Sequence, residues 1–215
     1  MVIGITNLKG GVGKTTLTLN LAVTFAHQGK RVCIVDADKN QNSMEWSGAR
    51  KASLPEVIVM GCTEPRALSK LVESQKEIYD MVLIDGTPDL GEMTTRIMLA
   101  SDLMLIPLLP SGHDFRSMVL LLQRFEQAKG FKPELPAYFI LNKFDERLNF
   151  HADMMDLLGQ YDIPILDAKV KSRIAYAQTG VSGMGVLEWT DQKAIEEIEV
   201  LAKEVLEKAA QYQLN

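Results

Sequence analysis

The stretch "VIGITNLKGGVGKTT", residues 2–16, decides the fold of this chain. It opens as a short β-branched apolar run, breaks at Gly10, Gly11 and Gly13, and passes at Lys14, Thr15 and Thr16 into a segment with helical spacing. A strand that runs through glycines straight into a helix presents backbone N–H groups at the helix N-terminus, and such groups wrap phosphate oxygens. Lys14 would then reach the β and γ phosphates of a nucleotide, and Thr15 would hold Mg2+. A turn that merely contains glycines does not explain Gly-Lys-Thr-Thr directly after them. The literal phosphate-loop pattern nevertheless fails at its first position, which is Leu8, and Lys9 is a second lysine five residues ahead of Lys14.

Outward from this loop, β-branched apolar runs recur at 31–36 (RVCIVD), 56–60 (EVIVM), 80–85 (DMVLID), 102–107 (DLMLIP) and 137–142 (AYFILN). Each reads as a strand buried on both faces. Helical spacing lies between them at 15–27, 41–51, 92–100 and 114–129. The alternation predicts an α/β fold: a mostly parallel, doubly wound sheet with helices on both faces, binding its ligand beyond the C-terminal strand ends. After residue 149 helices dominate, with one or two short strands including 163–170, and a long amphipathic helix at about 191–212 closes the chain. Without a linker, repeat or low-complexity tract, the expectation is a single P-loop domain over residues 1–215.

Hydrophobic residues make up 47% and charged residues 24%, which favours an ordinary globular chain over a disordered or fibrous one. No apolar run approaches the ~20 residues that cross a bilayer, and the start lacks a signal peptide, so a cytoplasmic location is expected. A net charge of −5 argues against coating nucleic acid by bulk charge and leaves room for a local basic patch. Cys33 and Cys62 sit in apolar contexts without neighbouring metal-ligand residues and read as core thiols, and Trp46 and Trp189 read as packing residues.

Carboxylates follow two of the strands. Asp36 and Asp38, two residues apart, would share a side if the strand continued, and two close carboxylates call for a cation or a proton between them. Mg2+ near Thr15 would satisfy Asp36 through water, and Asp38 could hold an attacking water or, alternatively, cap the next helix. Asp85 ends another apolar strand as a Mg2+-binding carboxylate, with 86–88 as a loop sensing the γ phosphate. Asn142, Lys143 and Asp145 match the Asn-Lys-x-Asp pattern by which GTPases read guanine, which leaves GTP as an alternative to ATP.

"KGGVGKT", residues 9–15, resembles the deviant Walker A loop of the ParA and MinD group of ATPases. The resemblance implies a phosphate site formed by Lys9, Gly10, Gly11, Val12, Gly13, Lys14, Thr15 and Thr16. It implies that Lys9 crosses to the nucleotide of a second subunit, making ATP the glue of a homodimer, with Lys9, Lys14 and Asp38 catalytic and Thr15, Asp36 and Asp85 holding Mg2+. The family writes Asp-x-Asp-Pro-Gln where this chain has Lys39 and Asn40 after its aspartates. An Asn at the position of Asn142 contacts adenine in that family, and "PLLPSGHDF" (107–115) resembles the segment that lines the nucleotide, placing Pro110 there.

The resemblance covers nearly the whole chain, since residues 168–189 also look like the ParA C-terminal region. It implies a weak ATPase for plasmid or chromosome partition, which binds nonspecific DNA as an ATP dimer and is released when a centromere-binding ParB-like partner stimulates hydrolysis. Lys169, Lys171 and Arg173 form the candidate DNA patch. A MinD-like membrane cycle is disfavoured because the last 24 residues carry five glutamates against three lysines, which anionic lipid would repel, so no membrane partner is expected. Positioning of another cargo by the same mechanism is the alternative, and a GTPase or metallochaperone is less favoured, since His27, His113 and His151 lie far apart.

Overall fold

The computed structural model describes residues 1–109, 115–145, 158–159 and 161–213. Pro110, His113 and His151 lie outside the described residues. In chain order the elements are β1 (Val2–Ile5), α1 (Lys14–His27), β2 (Val32–Asp36), α2 (Asn42–Ala49), β3 (Ile58–Gly61), α3 (Pro65–Lys76), β4 (Met81–Asp85) and α4 (Glu92–Ala100). There follow β5 (Leu103–Leu108), α5 (Phe115–Lys129), β6 (Ala137–Phe144), β7 (Ile165–Lys171), α6 (Ile174–Val181) and α7 (Gln192–Gln213).

Among the described residues the strands form one seven-stranded sheet in the order β3-β2-β4-β1-β5-β6-β7, and every pairing is parallel. Strand residues alternate between two apolar layers, as the period of a strand requires. Ile3, Ile5, Ile34 and Leu83 pack toward α1 and α7, whereas Val2, Val35, Val82 and Ile84 pack toward α3, α4 and α5. Burial on both faces is why these strands read as unbroken hydrophobic runs. Cys33 and Cys62 are buried free thiols, and burial pushes the Cys33 thiol up to about 12. Trp46 is buried, and Trp189 packs against the same layer.

α7 buries Ala194, Ile198, Leu201, Ala202, Val205 and Ala209, so its apolar face is spent on the core. Its acidic face reaches the edge strand. Glu204 accepts from the amides of Asp167 (2.9 Å) and Ala168 (2.8 Å), and Glu197 accepts from the amide of Lys171 (3.1 Å). No described helix is long and apolar enough to cross a membrane.

Register places the functional ends. Asp85 lies opposite Ile5 on one side and Asp36 on the other, so the C-terminal ends of β1, β2 and β4 finish level. The loop between Ile5 and Lys14 therefore leaves the sheet from its centre, directly beside two carboxylates.

Candidate nucleotide-binding site

The loop that leaves β1 is anchored before it turns. Asn7 Nδ2 donates to the Pro107 carbonyl at the end of β5 (2.7 Å), and Asn7 Oδ1 accepts from the Lys9 amide (3.0 Å). Gly11 (φ 75°) and Gly13 (φ 95°) occupy left-handed backbone, which glycine adopts without the penalty a side chain brings. Gly13 has a second constraint, because a Cβ there would lie 2.0 Å from Asn142 Nδ2.

The loop and its surroundings enclose a cleft of about 320 Å3, lined by Gly10, Gly11, Gly13, Lys14, Thr15, Thr16, Asp38, Asn40, Pro88 and Lys143 among others. That volume is at the lower end of small-ligand pockets. Lys14 is buried and its Nζ donates back to the Lys9 carbonyl (3.1 Å). Burial draws its pKa down, against the attraction of Asp85 and Asp38.

Asp36 and Asp85 lie behind that lining, both fully buried, Asp36 against the Asp38 amide and Asp85 against Thr15. Asp36 Oδ2 accepts from the amides of Ser43 (2.9 Å) and Met44 (3.1 Å), and Oδ1 accepts from the Asp38 amide (3.1 Å). Asp36 thus caps α2, the task considered above for Asp38. Strand β2 ends at Asp36, so Asp38 lies in the following turn, where its Oδ1 accepts from the Asn40 amide (2.9 Å). Burial raises the pKa of Asp36, and the three amides oppose it.

Asp85 Oδ2 accepts from the Ser43 hydroxyl (2.7 Å), and Thr15 also hydrogen-bonds to this carboxyl. Its other oxygen, Oδ1, is buried with no hydrogen-bond partner among the described residues. Burial pushes Asp85 up to about 7, the Asp36 charge adds to this, and Ser43, Thr15 and Lys14 oppose it. The Thr15 hydroxyl and two carboxylates, one of them with an orphaned oxygen, are hard oxygen donors of the kind Mg2+ takes together with water. The donor set fits that ion.

Ser43 is a site residue that the sequence did not reveal. Its amide serves Asp36 and its hydroxyl serves Asp85, so it ties the N-terminus of α2 to both carboxylates. Farther along α2, Trp46 Nε1 donates to the Met184 carbonyl, and the Arg50 guanidinium binds Glu188 (2.8 Å) and the Gly183 carbonyl (3.0 Å).

Asn142 donates from Nδ2 to the Val12 carbonyl (2.6 Å), and Lys143 Nζ donates to the Gly11 carbonyl (3.0 Å). The basic patch lies apart, in a hollow of about 530 Å3 that holds Lys169, Lys171 and Arg173 together with Asp167, Glu196 and Glu197. Arg173 is bound to Glu197 (2.6 Å), and Lys169 Nζ lies 4.8 Å from the centre of the Phe144 ring.

The shift at Asp85 has a measurable consequence. Above pH 7 its carboxyl is ionised in the folded and unfolded chain, and burial penalises the folded one; below the unfolded value near 3.8 both are protonated and the penalty vanishes. The ligand-free protein should therefore gain stability from this group as pH falls from 8 to 5. Asp85→Asn should melt a few degrees above the parent chain at pH 8, where ~1 kcal/mol is worth about 2–4 °C, and the gap should narrow at pH 5. A gap independent of pH by thermal denaturation would refute the account.

A parallel sheet with a glycine loop and two level carboxylates at its central strand ends defines a P-loop nucleoside-triphosphatase fold. Residues 3–186 match the CobQ/CobB/MinD/ParA nucleotide binding domain, and the chain belongs to that family. It is 29% identical over 210 residues to the maintenance of carboxysome distribution protein A of Halothiobacillus neapolitanus, covering 95% of each chain. Among solved structures it resembles the septum site-determining protein MinD complexed with Mg-ADP from Pyrococcus horikoshii (TM-score 0.78, 22% identity, 98% of both chains). It also resembles a candidate plasmid partition protein of Borrelia burgdorferi bound to AMPPNP (TM-score 0.71, 17% identity, 96% of this chain and 98% of that one).

Proposed function

We propose that the whole chain acts as one Mg2+-dependent ATPase domain of the ParA type, which dimerises around ATP and in that state binds DNA without reading its sequence. The observation that carries the reading is the convergence of the glycine loop, Lys14, Thr15 and Asp38 on one cleft, with buried Asp85 hydrogen-bonded to Thr15 and buried Asp36 to the amide of Asp38. The loop amides bind phosphate oxygens and Lys14 neutralises their charge. Thr15, Asp36 and Asp85 would hold Mg2+, which supplies further charge neutralisation at the phosphates. Asp38, at the mouth, orients the attacking water, and Lys9 serves the nucleotide of the second subunit. The base lies toward the end of β6.

Hydrolysis by the chain alone is slow, because no arginine lies in the phosphate loop, and a partner protein stimulates it. Lys169, Lys171 and Arg173, doubled by the dimer axis, contact DNA phosphates on this reading, and the ATP form resides on the nucleoid. Partition of a replicon with a ParB-like centromere-binding partner is the first assignment of cargo. The similarity along 95% of the carboxysome distribution protein favours a second, in which the same cycle positions a protein assembly.

The test is binding to a nonspecific duplex with no nucleotide, ADP, ATP or GTP, each at two salt concentrations. Binding with ATP alone, weakened by salt, is expected, because displaced counterions make phosphate contacts salt-dependent. Lys169→Glu with Lys171→Glu should lower DNA affinity at least about tenfold, in line with two lost phosphate contacts, and leave ATP-driven dimerisation intact. DNA binding in no nucleotide state would defeat the DNA half of the proposal, and a response to GTP alone would defeat the choice of ATP.

A further inference from the structure

Three side chains hold the phosphate loop by its carbonyls. Lys14 Nζ takes the Lys9 carbonyl (3.1 Å), Lys143 Nζ takes the Gly11 carbonyl (3.0 Å) and Asn142 Nδ2 takes the Val12 carbonyl (2.6 Å). None of these peptide bonds is cis. In a planar trans peptide the C=O and the N–H that follows it point in opposite directions. Drawing the Gly11 and Val12 carbonyls toward the end of β6 therefore turns the amides of Val12 and Gly13 away from β6, free to serve an anion on the loop's other side.

Two further observations mark the arrangement as specific. The carboxamide of Asn142, itself buried, packs so closely on Gly13 that a side chain there would have to displace it. Lys143 adopts φ 52°, a left-handed conformation uncommon for a residue other than glycine, at the point where its side chain turns back over the loop. Sparsely populated backbone of this kind persists where the surroundings enforce it, and it concentrates at functional sites.

We propose that Asn142 and Lys143 are positioning residues that brace the phosphate loop, fixing the direction of the Val12 and Gly13 amides before ligand arrives. They act on phosphate binding whatever base is attached, so the Asn-Lys-x-Asp match reports a loop support in its first two positions rather than a guanine reader. The inference rests on the nucleotide-binding reading above. It deepens that reading by assigning Asn142 to the loop as well as to the neighbourhood of the base.

The experiment measures the affinity of ATP, GTP and inorganic tripolyphosphate, all with Mg2+, for the parent chain, Asn142→Ala and Lys143→Met. Tripolyphosphate carries no base, so a base-reading role cannot move it. Both variants should lose about fivefold to tenfold in affinity for all three ligands, the loss of one hydrogen bond each, with the ATP-to-GTP ratio unchanged in Lys143→Met. Lys143 is exposed, so Lys143→Met should melt with the parent chain in the absence of ligand and keep the test valid should Asn142→Ala unfold. Unchanged tripolyphosphate affinity in Lys143→Met overturns the brace, whether or not the ATP-to-GTP ratio moves. A parent chain that binds none of the three overturns the nucleotide reading itself, and the brace with it.

Discussion

Lys14→Ala should bind ATP roughly 30-fold to several thousand-fold more weakly than the parent chain, the largest single effect expected here. The ammonium of Lys14 is the cation buried on the loop side of the cleft, and it faces Asp85 and Asp38. Removing one partner of a desolvated, hydrogen-bonded charge pair costs ~2–5 kcal/mol, which converts to roughly 30-fold to several thousand-fold in affinity. In the ligand-free chain the ammonium rests on the Lys9 carbonyl, a neutral acceptor that a phosphate oxygen outbids. Isothermal titration with ATP reads the loss directly. Retention of parental affinity would show that the cleft is not where the phosphates bind, and would remove the basis of the proposed function.

Lys9→Ala should behave differently. Its side chain is not among those lining the cleft of its own subunit, while its backbone belongs to the loop: the amide is fixed by Asn7 and the carbonyl by Lys14. Substitution should leave ATP binding by the monomer within about threefold, since both backbone contacts survive. ATP-dependent dimerisation should weaken by about 100-fold or more, because a cation facing phosphates across a closed, partly dry interface carries several kcal/mol. Sedimentation velocity with a non-hydrolysable ATP analogue distinguishes the two effects. A Lys9→Ala chain that dimerises like the parent would mean that its lysine serves only its own loop.

Much of this was legible in the sequence, and the exceptions have physical causes. The strands announced themselves because both sheet faces are covered, and the loop because glycines stand between a strand and a helix. Helix α3 was not singled out although it was legible: Leu68, Leu71 and Val72 stand at helical spacing and pack on one layer of the sheet. Only one strand follows β6 among the described residues, and it joins the parallel sheet. Spacing alone could not pair Asp36 with Asp85, because β2 and β4 are neighbours in space and not in order; only the resemblance brought them to one ion. Ser43 was hidden for a related reason, since its importance comes from reaching a residue 42 positions away. The capping of α2 by Asp36 could not be foreseen, because it depends on the turn after β2 folding back to bring the Ser43 and Met44 amides to the strand end.

The contacts between α7 and β7 bear on a different property, solubility. A sheet's outermost strand offers unpaired amides to any extended chain that meets it, and natural proteins blunt such margins with charge. Here Glu204 occupies the amides of Asp167 and Ala168, and Glu197 occupies that of Lys171. The acidic face of the final helix therefore closes three amides of this margin to strand addition and sets charge beside them. Truncating these glutamates to alanine would return those amides to the margin even if every residue around the phosphate loop were untouched.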